Sequence, residues 1–425
     1  MKPKYAYALG ALSALANVAS ADLRFRSRPE LAIPRLNITT PAYGHATEKA
    51  GCLYYPRRRR ASLVGHRLPR RLGSQLSSRD LGRQTVLARL SRNSYVLHGR
   101  TYGHHTLLGN DYEVAKVVRA GSHRSVSAHE FRVVDGKTAL IETPIPRIIS
   151  LKPWGGSNDQ RWIVSGGFQE VNIETGDVLF EWESLDHVDP RSPFLSARNI
   201  AAFFKINGTS GEVIWQLGGY RGGSDFEIAE TEVFAFEHHA RFRGRSLDGS
   251  LETISFFDNG AHSASVQIRP YSRARVVQLN HTSGVATSLR TYDAPDGLSA
   301  RTQASVQLLP NGNMFVDWGE AGAVTEFSHG GQVLFHAYLD SAPVSRFVQS
   351  YRGFRANWTA IPAEEPAIAT FVSRESTLTF LDINISWNGD TETKTWRVYS
   401  RPSTGESAVL NIANVTFFNA PKEEY

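Results

Sequence analysis

Cysteine is almost missing from this chain: Cys52 is the only one among 425 residues, so no disulfide can form within it. Glycine is plentiful, yet no glycine stands two residues from another. That excludes the Gly-x-Gly loops of Rossmann and kinase-type nucleotide sites. No Gly-x-Ser-x-Gly occurs, which removes the strained elbow of a serine hydrolase. Beyond the N-terminus no apolar run reaches the length that a membrane helix needs, so no membrane partner is expected. A metal site built from His129, His238 and His239 lacks a local ligand spacing such as His-Glu-x-x-His, and neither a metal nor any other cofactor is expected.

Lysine and acid are scarce in one place. Residues 51–100 hold twelve Arg, no Lys, one Asp and no Glu, or +11, so the rest of a chain whose formal charge is +6 carries −5. Nucleic acid is therefore not an expected partner, and between Tyr55 and Tyr95 the basic stretch offers no aromatic for base stacking. With its Arg57–Arg60 run and no countable periodicity, the 51–100 segment reads as disordered chain or a mis-read gene segment.

What is present begins with a secretory pattern. Lys2 and Lys4 precede a modest apolar stretch to Val18, and Ala19-Ser20-Ala21 offers a cleavage site, so residues 1–21 read as a signal peptide and the protein as secreted. Six Asn-x-Ser/Thr sequons, at Asn37, Asn207, Asn280, Asn357, Asn384 and Asn414, agree with a glycosylated surface. Residues 22–50 are extended and proline-punctuated.

From about residue 101 the chain repeats one grammar of short strands and Gly-centred turns. His239–Phe242, Leu251–Phe257, Ala274–Leu279 and Val285–Tyr292 make one unit, with turns at Asp248-Gly249 and Ser283-Gly284. Ser305–Leu309, Met314–Trp318, Ala323–Phe327 and Val333–Tyr338 make the next. An earlier copy runs from His129 through Thr138–Thr143, Trp162–Val164 and Phe168–Ile173 to Val178–Trp182. Four-stranded meanders repeated in this way describe propeller blades, whose first strands line a central channel. One copy is short. From Thr175-Gly176 the equivalent turn Ser210-Gly211 follows after 35 residues, whereas Ser283-Gly284 follows only after a further 73. No opening strand is found between Leu185 and Asn207. Residues 101–366 are thus expected to form blades, and 367–425 a C-terminal β element or final blade that ends polar, without a closing strand.

Within this frame stands Phe236-Glu-His-His-Ala-Arg-Phe. Neighbours on a strand face opposite ways, so His238 and His239 cannot share one cavity, and an ordinary packed histidine is the plain alternative for either.

Several blocks together resemble the secreted arylsulfotransferase family in its fungal branch. They are Thr106–Gly121, His129-Glu-Phe, Gly166-Gly-Phe-Gln-Glu, Thr175-Gly-Asp-Val-Leu-Phe-Glu-Trp and Lys205-Ile-Asn-Gly-Thr-Ser-Gly-Glu-Val-Ile-Trp-Gln-Leu-Gly-Gly. The Phe236 motif, Gln307-Leu-Leu-Pro-Asn-Gly-Asn and Ser386-Trp-Asn-Gly complete the set. The resemblance implies an all-β, six-bladed β-propeller, here with one blade incomplete, and a small N-terminal β element. It implies transfer of a sulfuryl group from an aryl sulfate to a phenol through a sulfated histidine, with no nucleotide-carried sulfate. It places His238 at the nucleophile and His129 and Arg198 as sulfate-binding residues. A neutral imidazole and a guanidinium fork suit that chemistry. The family's inner strand with Phe-His-Ile-Asn-Ser is missing before Ser196, and residues 51–100 do not match. The alternative reading is a secreted, non-catalytic propeller that serves as a binding scaffold.

Overall fold

The computed structural model describes residues 36–42, 51–53, 77–81, 84–92, 100–101, 103–127, 129–154, 156–159, 161–187, 201–220, 222–339, 349–375, 378–387 and 389–393. Among these the chain is all-β, with short 3-10 turns and no α-helix. The signal-like N-terminus, Arg198 and Asn414 lie outside the described residues.

Strands β1 (Leu36–Thr40) and β2 (Gly51–Leu53) come first. A four-stranded sheet follows in the order β3 (Ser77–Leu81), β4 (Gln84–Arg92), β6 (Gly103–Leu108), β7 (Val114–Val118), while β5 (Arg100–Thr101) pairs with β8 (Val126–Ser127). The next sheet has β9 (Phe131–Val134), β10 (Thr138–Glu142), β13 (Gly167–Asn172) and β14 (Val178–Glu183); between them β11 (Ile145–Arg147) and β12 (Ile163–Ser165) form a separate ribbon. Then β15 (Ala202–Ile206) and β16 (Val213–Gly218) form a two-stranded sheet among the described residues. A full sheet follows, β18 (His238–Arg245), β19 (Leu251–Asp258), β20 (Arg273–Asn280) and β21 (Val285–Asp293), edged in parallel by β17 (Glu227–Ile228). The last full sheet is β22 (Ser305–Leu308), β23 (Met314–Asp317), β24 (Ala323–Phe327) and β25 (Val333–Leu339), with β1 added outside β25. Finally β26 (Phe354–Ala356) pairs with β2, and β27 (Ala367–Glu375) with β28 (Leu378–Ser386).

Three of the four-strand units coincide with the repeats read from the sequence, except that Trp162–Val164 contributes to the β11–β12 ribbon and not to the blade-like sheet. Part of the 51–100 segment lies among the described residues. Strands β3 and β4 fall within it and pair in register, Ser77 with Ala88 through Leu81 with Gln84. The β-forming run Thr85-Val86-Leu87 stands on β4 despite the surrounding arginines.

The chain divides into two compact units, one of Ile33–Leu107 with Val114–Asn357, the other containing Leu108–Glu113 and the chain from Trp358. In the smaller unit Tyr112 donates to the Gly389 carbonyl (2.9 Å) and accepts from the Trp358 indole (3.1 Å), tying two distant loops together.

In the larger unit the core lies between sheets. Phe257, Val276 and Tyr292 pack against Val306, Val316, Trp318 and Phe327. Leu107, Val118 and Val126 meet Phe131, Ile141 and Val171. Phe203, Trp215 and Leu217 of the two-stranded sheet meet Phe256, Val277 and Leu279. Each such side chain contributes about 1.5–3 kcal/mol of burial. The first strands of the sheets lie side by side: β18 next to β22, β22 to β26, β26 to β3 and β3 to β9.

The hairpins between the last two strands of successive units share one device. The carboxamide oxygens of Asn172, Asn207 and Asn280 each accept two backbone N–H bonds from the turn, at 2.8–3.2 Å. Gly176, Gly211 and Gly284 close the turns at φ of 81°, 78° and 68°, where a side chain is disfavoured.

Candidate functional site

The His pair sits where β18 begins, and the strand is irregular there. His238 lies opposite Phe257 and Arg241 opposite Ser255, so one extra residue is accommodated between them. His239 takes up the bulge at φ 54°. Simple alternation does not hold at this point. The two imidazoles separate because His239 turns through the left-handed region. His239 is buried, accepts a bond from the Val306 amide (3.2 Å) on Nδ1 and meets the Phe354 ring at 5.4 Å. His238 stays half-buried.

Around His238 the partners assign its tautomer. Asn259, fully buried just beyond β19, donates its amide to the Ala300 carbonyl (2.7 Å) and the Gln303 carbonyl (3.3 Å). Those two acceptors require the NH₂ on that side, so the oxygen faces His238 Nδ1 at 2.7 Å and must accept. The Phe236 carbonyl is a second acceptor for Nδ1 at 3.0 Å. The proton therefore sits on Nδ1. Nε2 keeps its lone pair and accepts from the Gln303 amide at 3.3 Å.

The segment that delivers this amide is strained. Gln303 and Ala304, neither a glycine, hold φ of 71° and 97° just before β22. The Ala304 amide bonds the Tyr351 carbonyl (3.1 Å) and Ser305 Oγ the Gly353 carbonyl (2.7 Å), so the start of β26 anchors the turn.

His129 lies at the junction of β8 and β9, exposed, with Ser127 Oγ 2.7 Å from its Nδ1 and 3.1 Å from its own amide. The Tyr351 hydroxyl donates to the His129 carbonyl (3.1 Å), and the two rings meet edge to face at 5.9 Å. Burial raises the Tyr351 pKa, so the phenol stays neutral. Next to His129, the Glu130 carboxylate takes Arg241 Nη2 at 3.0 and 3.2 Å and Arg352 Nη1 at 2.7 Å. One carboxylate thus joins β18, the start of β9 and the start of β26. The segments bearing His129 and His238 are brought together in this way, while Arg198 lies outside the described residues.

Close by is Asp317 at the end of β23, fully buried. Burial pushes its carboxyl up to about 8, although Ser350, the Gly319 and Gly353 amides and Arg352 pull the other way. His105 is also kept neutral: burial, then the neighbouring His104, lower it to about 3, and its ring stacks on Phe131 at 4.1 Å.

Sequence reasoning did not single out Asn259, Glu130, Gln303 or Tyr351. Glu130 and Arg241 were visible inside His129-Glu-Phe and Phe236-Glu-His-His-Ala-Arg-Phe. Asn259 and Gln303 carried no local signal of their own.

A half-buried imidazole with a fixed Nδ1 proton and a lone pair on Nε2 that accepts from the Gln303 amide, beside histidine, arginine and carboxylate side chains, defines an all-β protein with a polar site at its strand edges. The chain matches the model of the arylsulfotransferase (ASST) family over residues 80–193 and 190–339, and it belongs to that family. The match begins inside the Arg-rich segment, so the reading of 51–100 as foreign is corrected for its last part. Its two pieces meet at 190–193, within the stretch where no opening strand was read from the sequence. No curated protein sequence matches. Among solved structures, a protein of unknown function from Bacteroides caccae is similar at 13% identity, covering 66% of this chain and 98% of that one, with a TM-score of 0.35. Hydrazine synthase from Kuenenia stuttgartiensis is similar at 11% identity (63% and 80% covered, TM-score 0.31). A mutant of the GH43 protein BlXynB from Bacillus licheniformis is similar at 11% identity (68% and 58% covered, TM-score 0.33). No inference is drawn from likenesses of this degree.

Proposed function

We propose that the chain is a secreted aryl sulfotransferase built as a six-bladed β-propeller, and that His238 carries the sulfuryl group. The observation that carries this reading is the His238 tautomer, with Nδ1–H held by Asn259 and the lone pair on Nε2, where the Gln303 amide now donates and a sulfuryl group would take its place. Family membership and the run of adjacent first strands support it.

In the first half-reaction the Nε2 lone pair attacks sulfur, the S–O(aryl) bond breaks, and the phenolate leaves to take a proton from solvent. His238 is then a sulfated imidazolium. Its remaining N–H is shared with Asn259 Oδ1 and the Phe236 carbonyl, which stabilises the positive charge. In the second half an acceptor phenol attacks sulfur, the N–S bond breaks, the phenol proton is lost, and the neutral imidazole returns. The Gln303 amide near Nε2 is a donor for a sulfuryl oxygen. His129 and Arg198 are proposed as further sulfate ligands. Aryl sulfates and phenols are the substrates, without cofactor.

A second reading, a weakened or non-catalytic relative, is favoured by one observation. The β15–β16 sheet has two strands among the described residues, where the sheets before and after it have four and five, and the family match breaks at 190–193. The β15–β16 turn corresponds to the last hairpin of the other units, so the first two strands are the ones not accounted for. Small misplacements in a positioned site cost about a hundredfold, and turnover by this chain is proposed to be low.

For secretion, the support is the signal pattern and the sequons. Asn207 and Asn280 stand at hairpin tips, Asn37 and Asn357 are exposed, and Asn384 lies on β28.

The test is incubation with 4-nitrophenyl sulfate, followed by mass mapping of sulfated peptides. A sulfuryl group on the His238 peptide, absent in His238→Ala, supports the reading. A chain that releases nitrophenolate equally well in His238→Ala would refute it. A version carrying a restored Phe-His-Ile-Asn-Ser-like strand should turn over faster; robust turnover by the unmodified chain would show that strand to be dispensable.

A further inference from the structure

Beyond the sulfuryl group itself, the strands that bear the site hold an excess of positive charge that the transfer chemistry does not use. Arg241 and Arg243 are both partly buried on β18, while Phe242 between them is exposed. Arg243 spends its hydrogen bonds on neutral acceptors, Nε on Ser255 Oγ (2.7 Å) and Nη2 on the Val306 carbonyl (3.2 Å). Arg132 is exposed on β9, two residues beyond Glu130 and therefore on the same face of that strand. Glu130 reaches Arg241 at 3.0 Å, so the faces of β9 and β18 that carry these arginines meet.

Glu130 is shared between Arg241 and Arg352, and among the described residues neither Arg132 nor Arg243 has a carboxylate partner. The charges act on one another. Burial first, then Arg241 and Arg132, lower Arg243 to about 10, and Arg132 and Arg352 also weigh on Arg241. Mutual repulsion in a partly desolvated place is relieved by an anion. Along β18 the first bulge leaves Arg241 two paired positions beyond His238, about 7 Å of strand, and Arg243 stands at a second irregularity between Phe242 and Gly244, where its bond to Ser255, the residue opposite Arg241, keeps it on Arg241's side.

We propose that Arg132, Arg241 and Arg243 form an anion subsite beside the sulfuryl site, which takes a carboxylate carried by the phenolic substrate. This rests on the reading of His238 given above. The planar, two-oxygen carboxylate fits the guanidinium fork, and a single aromatic ring bridges the distance from the reacting phenolic oxygen to a para acid group. The substrate class is therefore the hydroxybenzoate type and not the plain phenol.

The test compares binding of 4-hydroxybenzoate with that of its neutral analogue 4-hydroxybenzyl alcohol. Calorimetry on the full chain at low ionic strength is run for the unmodified protein, Arg132→Gln, Arg243→Gln and His238→Ala. The acid should bind about tenfold tighter than the alcohol, the strength of one charge-assisted contact. Each glutamine variant should erase most of that preference while leaving the alcohol unchanged. Arg132 is exposed, so its variant keeps the test alive if Arg243→Gln fails to fold. Equal binding of acid and alcohol, or a preference that survives both glutamine variants, overturns the subsite. His238→Ala should retain the preference for the acid while losing sulfation. Sulfation that survives His238→Ala would defeat the His238 reading and leave the binding result standing.

Discussion

Replacing Asn259 by alanine is the sharpest probe of the site, because that one side chain has three partners and only one of them is catalytic. The substitution removes the 2.7 Å bond to His238 Nδ1 and the donations to the Ala300 and Gln303 carbonyls. Asn259 is fully buried, so water does not readily replace the lost partners. A buried polar group left without its partner costs about 1–3 kcal/mol. With the Gln303 donation already long at 3.3 Å, the total should come to about 2–4 kcal/mol of unfolding free energy. Denaturant unfolding measures that loss. The second consequence is specific to function. Without Asn259 the Nδ1–H loses its shorter acceptor and keeps the Phe236 carbonyl, so the tautomer that leaves the lone pair on Nε2 is held less firmly. Nitrogen NMR of labelled histidine should show the His238 signal moving from the Nδ1–H form toward a mixture, and sulfation should slow by about ten- to a hundredfold, the effect of lost positioning. Asn259→Asp loses the same two donations but keeps an oxygen toward Nδ1. A carboxylate beside Nδ1 stabilises the imidazolium, so sulfation should be suppressed near neutral pH and recover as the pH rises. An alanine variant of undiminished stability with an unchanged His238 signal would refute the account.

Other expectations follow from buried charge. Asp317 binds its proton more tightly folded than unfolded, being pushed up to about 8 from an ordinary 3.8. Its contribution is therefore intact in acid and falls as the pH rises toward 8, and Asp317→Asn should flatten the stability profile over that window in melts from pH 5 to 9. Glu252 is buried at the junction of β15, β16 and β19, where it accepts from Lys205 and from the Trp215 indole (2.9 Å), with His281 at 3.4 Å. Glu252→Ala should cost roughly 3–5 kcal/mol in denaturant unfolding, and a loss under 1 kcal/mol would show that the two-stranded sheet is not held through it. Asn280→Ala should cost about 1 kcal/mol through the lost turn acceptor; Asn280→Asp, which keeps the acceptor oxygen, should recover most of it.

Much of the strand layout was legible because it is local. The β-branched and aromatic runs Leu251–Asp258 and Met314–Asp317, closed by Asp-Gly, Asn-Gly or Ser-Gly turns, specify a strand and its hairpin from a few adjacent residues. The Asn280-His-Thr-Ser-Gly turn closes itself with its own side chain. The site motifs were legible as words, so His129-Glu-Phe and Phe236-Glu-His-His-Ala-Arg-Phe stood out before their neighbours were known. What the words did not contain was where each side chain points. Strand alternation separates His238 from His239 on paper, but a bulge with His239 at positive φ separates them in the structure, and a bulge is set by the partner strand. Strands β3 and β4 were hidden because charge density in 51–100 masked a short β-forming run that pairing with β6 completes. Asn259 and Gln303 reach His238 across 21 and 65 residues, and Glu130 reaches Arg241 across 111. Local propensity decides φ, ψ and turn type over a handful of residues. Which donor meets which acceptor is decided only when sheets pack, because that is when side chains distant along the chain lose water together and must satisfy one another.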